Sequence, residues 1–154
     1  MNCPCCSNEL FSQCCLPIIE SKKQPLKPEE LMRARFSAYA TGYAQYILKT
    51  YANEKQQELT LTDIEEGIDE NTWIKLSIHH ASELFHPATV EFSAFYIHKS
   101  GLFEMREISR FIKEDEQWRY LNGDIVKHEE ISKIKRNDSC PCNSGKKFKK
   151  CCSN

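Results

Sequence analysis

Eight of the nine cysteines fall into two groups with one spacing. Cys3 and Cys5 are followed, eight residues on, by the adjacent pair Cys14 and Cys15. Cys140 and Cys142 are followed, again eight residues on, by Cys151 and Cys152. Four thiolates are a ligand set for one soft metal ion, held tetrahedrally with sulfurs about 2.3 Å from the metal. A Cys-Pro-Cys turn presents two of them, the intervening residues reverse the chain, and the closing pair supplies the rest. All four positions are then filled by protein and none is left for a reactive water, which points to a structural or recognition role and away from metal catalysis. Zinc and iron both suit such a site.

The two groups form an internal repeat. Pro4 matches Pro141, Ser7 matches Ser144, Phe11 matches Phe148, and Asn8 matches Gly145, the two residue types that best tolerate a left-handed backbone. Cys6 has no cysteine counterpart and reads either as a spare thiol or as a substitute for a neighbouring ligand. The copies differ in charge. Lys146, Lys147, Lys149 and Lys150 in the C-terminal copy stand where Glu9, Leu10, Ser12 and Gln13 stand in the N-terminal one. From Lys133 to Asn154 there are seven basic residues and one acidic residue, Asp138, although the whole chain is nearly neutral at 21 basic and 22 acidic. Phe11 and Phe148 read as the miniature cores of their modules, and the charge run together with Phe148 reads as a surface for an acidic protein or a phosphate backbone. The bland alternative is a solvated stretch.

These ligands need elements to position them. At 154 residues the chain has room for one ordinary domain plus small appendages, and the cysteine ends are too short to bury cores of their own. We divide it into a module over 1–20, a body over 27–126 and a module over 136–154. A helix is expected to start at Pro28, with Glu29 and Glu30 in its first turn and Met32, Phe36, Tyr39 and Tyr43 on its apolar face. Gly42 breaks it, a second helix runs from Tyr43 to about Tyr51, and a third begins at a capping box read at Thr62 to Glu65 and ends before Asn71. The period then changes to alternation. Ile74, Leu76 and Ile78 share a face, as do Val90, Phe92, Ala94 and Tyr96, then Phe103, Met105 and Phe111, and a fourth strand opens at Trp118. Turns fall at Ser100-Gly101 and Glu114 to Glu116, and residues 127 to 137 read as a short helix or linker. Helices followed by an antiparallel meander give an α+β fold, helices packed on one face of a curved, cone-like sheet and flanked by two small metal modules.

The run from Arg136 to Cys152, with its cysteine spacing and its Gly-Lys-Lys-Phe-Lys-Lys sequence, resembles the SEC-C motif at the C-terminus of the SecA preprotein translocase ATPase. That resemblance implies a zinc-binding knob that contacts the chaperone SecB. The whole chain resembles the YchJ family, which has a SEC-C motif at each end of a middle domain similar to the nuclear-transport-factor-two-like fold. The middle residues that carry this resemblance are Leu31 to Tyr39, Val90 to Phe92, Glu107 to Phe111, Trp118 to Tyr120, and Gly123 with Asp124. It implies two zinc ions and no established activity.

Other candidates are weaker. Arg33, Arg35, Glu91, Glu107 and Arg110 could line a pocket in the middle domain or form ion pairs between helix and sheet. His79 and His80, as strand neighbours, are expected on opposite faces, and His86 and His98 are scattered. Trp73, Trp118 and Phe92 read as core. Neither a nucleophile elbow, a phosphate loop nor a paired-acid motif is found, so no catalytic residue is assigned and the chain is read as a non-enzyme. The sequence offers no membrane-spanning run and no apolar stretch after Met1, and its cysteines cluster for metal binding, so a reducing, cytoplasmic setting is expected. The leading reading is a zinc-binding adaptor that docks an export chaperone or the translation and export machinery. The alternatives are an RNA- or ribosome-associated module and a small-ligand binder or enzyme using the pocket; oligomeric state is open.

Overall fold

The computed structural model describes residues 1–153. A single turn of 3-10 helix at Phe11–Gln13 leads into α1 (Leu16–Ile19), and then come α2 (Pro28–Thr41), α3 (Ala44–Lys49), α4 (Asn53–Gln56) and α5 (Leu61–Glu70). Four strands follow: β1 (Thr72–Ser82), β2 (Ala88–His98), β3 (Gly101–Glu114) and β4 (Gln117–Lys133). A last 3-10 turn spans Phe148–Lys150. The strands pair in sequence order as one antiparallel meander, with β1 and β4 at its edges. The helices pack on one face of this sheet, as expected for the α+β class.

Local chemistry sets the helix limits. Pro28 fixes the first helical position of α2, and Gly42, at φ 85°, closes it by donating its N–H to the Ala38 carbonyl. Tyr43 therefore lies beyond the cap. It is 40% exposed and does not extend the stripe of Met32, Phe36 and Tyr39. The capping box of α5 lies two residues earlier than expected. Thr60 accepts from the Asp63 N–H, and the Asp63 carboxylate accepts from the Thr60 N–H. In the β3–β4 turn, Asp115 and Glu116 both take positive φ without a glycine.

Val90, Phe92, Ala94 and Tyr96 face the helices, and through the β2–β3 register so do Phe103, Met105, Glu107, Ser109 and Phe111. Two irregularities in β1 overturn simple alternation. The first, between Trp73 and Lys75, leaves Trp73, Leu76 and Ile78 on the helix side and puts Ile74 against the second, smaller core. The second, between Ile78 and His80, brings His79 and His80 to the same outer face. His79 Nε2 meets Ser93 Oγ at 2.8 Å, His80 pairs with Glu91, and both imidazoles help hold the Glu91 carboxyl low, after the larger effect of its bond from Arg106.

Residues 127–133, read as linker or helix, are strand. β4 continues along β3 as far as Lys133 opposite Gly101. Its second half is exposed on both faces and mixes Lys127, Glu129, Glu130 and Lys133, charges that protect a sheet edge, with the exposed Ile125, Val126 and Ile131, so it shows no apolar alternation. Its first half is covered, because Tyr120 exchanges backbone bonds with Thr50 and Ala52, both 2.8 Å.

Phe111 is fully buried in this core. Phe111→Ala should destabilise the metal-replete protein by about 3–5 kcal/mol, while Tyr43→Ala should stay within about 0.5 kcal/mol. Urea unfolding of both variants checks the assignment.

Candidate metal centres and the cavity beneath the helices

The eight repeat cysteines gather into two sets. Within each of Cys3, Cys5, Cys14, Cys15 and Cys140, Cys142, Cys151, Cys152, the sulfurs lie within 4.8 Å of one another. Measured separations are 3.7 Å for Cys5–Cys14 and 3.8 Å for Cys14–Cys15 in the first set. In the second they are 3.5 Å for Cys142–Cys151 and 3.9 Å for Cys151–Cys152. Ligands about 2.3 Å from an ion at tetrahedral corners lie about 3.8 Å apart, and a disulfide would need about 2.05 Å. The donor sets fit one four-sulfur ion each.

The repeat extends to the backbone. Cys3 N–H donates to the Glu9 carbonyl at 2.8 Å, and Cys140 N–H to the Lys146 carbonyl at 2.9 Å. Antiparallel bridges join Asn2 to Leu10 and Ser139 to Lys147. Ser7 and Ser144 each place Oγ against the third cysteine of their set, at 3.3 and 3.2 Å. Positive φ recurs at Cys6 and Asn143, and at Asn8 and Gly145. This resolves Cys6. It occupies the left-handed turn position that Asn143 holds in the other copy, is exposed, and lies outside the ligand set.

The charges follow the geometry. Bonds from Cys15 and Cys5 hold the Cys3 thiol far below its ordinary range. Cys15 is pushed far above it by its bonds to Cys3 and Cys5 and then by burial, and burial takes Cys14 up to about 11. Burial opposes ionisation of Cys142, but bonds from Ser144, Cys140 and Cys151 outweigh it and bring the thiol down to about 6. Cys152 is pushed up, first by burial and then by Cys140 and Cys142. The sulfurs thus favour uneven sharing of protons, and full deprotonation of all four requires a cation among them.

The two modules are anchored differently. Cys3, Cys5, Phe11 and Cys15 belong to the main core with α1 and α2. Cys3 Sγ lies 3.6 Å from the fully buried Ser37 Oγ, and Arg33 Nη1 donates to the Cys5 carbonyl at 2.9 Å. The C-terminal module packs on the opposite face of the sheet. There Cys140 and Phe148 join Ile97 and Ile134, flanked by Ile74 and Leu102. Phe148 is therefore core and presents nothing to a partner. Lys146, Lys147 and Lys150 are exposed and Lys149 half-buried, and none of the four forms an ion pair with another described residue. The equivalent residues Cys6 and Asn143 line one groove together with Ile74 and Phe95.

The five charged candidates for a middle-domain pocket separate. Glu91 and Arg110 occupy strand positions facing away from the helices, where Glu91 pairs with Arg106 and Arg110 with Asp124. Arg33 serves the N-terminal module. Arg35 and Glu107 remain, and both line a cavity of about 340 Å³ between the helices and the sheet. Arg35 Nη1 donates to the Ile47 carbonyl at 2.9 Å and to Thr50 Oγ1 at 2.6 Å. Glu107 accepts from Ser109 and Tyr120. Burial keeps the Tyr39 and Tyr120 phenols protonated, against the pull of Arg35. The cavity also holds what the sequence reading missed, the indole of Trp73 and the small Gly67. A glycine on the core-facing side of a capped amphipathic helix was the available signal.

A family model described as the YchJ middle NTF2-like domain matches residues 27–123, and a SEC-C motif model matches residues 136–154. A UPF0225 protein of Vibrio vulnificus is 37% identical over 164 residues, covering 98% of each chain. One from Photorhabdus laumondii is 36% identical over 158 residues, covering 97% of each. The solution structure of a SEC-C motif containing protein from Rhodopseudomonas palustris is similar with a TM-score of 0.76 at 30% identity, covering 82% of this chain and 100% of that one. The crystal structure of a SEC-C motif containing protein from Psychrobacter arcticus has a TM-score of 0.72 at 28% identity, covering 99% of this chain and 95% of that one.

The different anchoring predicts unequal consequences. Cys15→Ser and Cys152→Ser should each lose one equivalent of metal. Because Cys15 is built into the main core, its loss should lower Tm by about 6–12 °C, and that of Cys152 by less than half as much. Elemental analysis with calorimetry on both variants checks this; equal shifts would contradict it.

Proposed function

The chain belongs to the YchJ (UPF0225) family, and on that premise we propose that it is a non-catalytic, zinc-binding adaptor of the cytosol whose C-terminal module docks an acidic surface of a protein partner. The observation that carries this reading is the set of four lysines, Lys146, Lys147, Lys149 and Lys150, which have no acidic partner among the described residues and sit on a turn held by four cysteines. Exposed lysines whose backbone is fixed lose less freedom on binding than lysines on a mobile tail. Their charge speeds encounter with an acidic surface and makes binding salt-sensitive. The N-terminal copy supports the assignment by contrast: it is fused to the core and lacks the lysines. The SEC-C resemblance points to an export chaperone of the SecB kind, or to the translation and export machinery, as the partner.

Zinc is the ion we assign to both sites, on the four-thiolate donor sets and the SEC-C match. It would close each module without supplying chemistry, since protein sulfurs take every coordination position. The nucleic-acid alternative uses the same lysines but lacks a stacking surface, because Phe148, the one aromatic residue of this module, is buried. No helix among the described residues is long and apolar enough to cross a membrane.

Replacing the four lysines together by glutamine should leave both metal equivalents in place and weaken partner capture from nuclease-treated cytosolic extract by about tenfold or more. Cys151→Ser should lose one metal and the same partner. Capture undiminished by lysine neutralisation would overturn the docking surface, and capture lost on nuclease treatment would move the assignment to RNA.

A further inference from the structure

The cavity beneath α2 holds polar groups that neither the fold nor the docking reading uses. Arg35 is 3% exposed and forms no ion pair within 4.0 Å among the described residues. Both of its protein hydrogen bonds leave from Nη1, so Nε and Nη2 are uncommitted. The rings of Tyr51 and Tyr120 lie 4.4 and 4.7 Å from its Cζ, and cation–π contact replaces part of the lost hydration. Glu107 receives both of its protein bonds on Oε2, which leaves Oε1 uncommitted. Trp73 Nε1–H is buried with no acceptor, a costly arrangement for a donor. Arg35, Glu107 and Trp73 line one space whose walls are otherwise mainly aromatic and aliphatic.

The spacing of the charges is set by Tyr120. Arg35 lies over its ring, while its hydroxyl donates to Glu107 Oε2 at 3.2 Å. Cation and anion therefore meet the same phenol, one at its face and the other at its hydroxyl. Two glycines keep this arrangement open. A Cβ on Gly123 would come within 2.7 Å of Glu107 Cδ, so only glycine lets the carboxylate sit there. Gly67 lies one helical turn from the buried Ile64 of α5, lines the cavity, and a Cβ there would meet nothing within 4 Å. Glycine inside a helix is unfavourable against alanine, and Gly67 leaves its stretch of the cavity wall without a side chain.

We propose that the cavity binds a small planar aromatic carboxylate bearing a hydroxyl at the far end of its ring. The carboxylate pairs with Arg35, the hydroxyl donates to Glu107 Oε1, and the ring packs among Phe36, Tyr39 and Trp73. At about 340 Å³ the space is at the lower end of small-molecule sites. The site stands apart from the metal modules and from the docking reading.

The test is a two-dimensional amide NMR titration of the full, metal-replete chain with 4-hydroxybenzoate, benzoate and phenol. The Trp73 indole signal should shift saturably with 4-hydroxybenzoate, while that of Trp118, whose Nε1 donates to the Leu26 carbonyl, stays in place. Phenol should bind about tenfold more weakly or worse, having no carboxylate for Arg35. Gly67→Leu should keep the fold and abolish the shift, and Glu107→Gln should weaken 4-hydroxybenzoate more than benzoate. The proposal is overturned by no saturable Trp73 shift, by phenol binding as tightly as the acid, or by unchanged binding in a folded Gly67→Leu protein.

Discussion

Four sulfurs within 4.8 Å of one another are the constraint on which both ends of this molecule depend. Four thiolates that close repel strongly in a partly buried site, and neutral thiols give up the charge that makes them ligands. A dication satisfies both demands, and the backbone is shaped to hold it: left-handed residues at Cys6 and Asn8, and again at Asn143 and Gly145, reverse the chain so that the closing pair meets the opening pair. Neither module can bury a core alone. Each lends its repeated aromatic residue, Phe11 or Phe148, to a hydrophobic cluster built by the body.

The same module is thereby anchored in two ways. At the N-terminus, Ser37 against Cys3 and Arg33 on the Cys5 carbonyl tie the site to the middle of α2, so that a metal bound there would stabilise the main core and be held by it. At the C-terminus, the site rests on the far face of the sheet through Ile97 and Ile134 and carries its lysines outward. The body between them has its own tension, a buried guanidinium steadied by two tyrosine rings and a carboxylate at the hydroxyl of one of them.

Much of this was legible in the residues. The cysteine spacing and the repeat gave both ligand sets, since eight sulfurs at matched intervals have few other uses. The alternation at Val90 to Tyr96 and Phe103 to Phe111 gave the inner face of the sheet. What escaped depended on features without a one-residue signal. The irregularities in β1 moved Ile74 to the second core and put His79 and His80 on one face, because an extra residue shifts the face of all that follow it. The second half of β4 is held by backbone bonds to β3 and shows no side-chain period. Phe148 read both as the module's miniature core and as part of the recognition surface, and its burial with Ile97 and Ile134 leaves only the first. Glu91 and Arg110 were separable from Glu107 by strand parity alone, as their neighbours Phe92 and Phe111 face inward.

The account rests on two closed four-sulfur sites, and X-ray absorption spectroscopy joined to elemental analysis of the purified full chain addresses it most directly. It predicts two equivalents of zinc per chain and an average shell of four sulfurs at about 2.3 Å, with no nitrogen or oxygen ligand. A single equivalent, or a mixed shell with an oxygen or nitrogen donor, would contradict it.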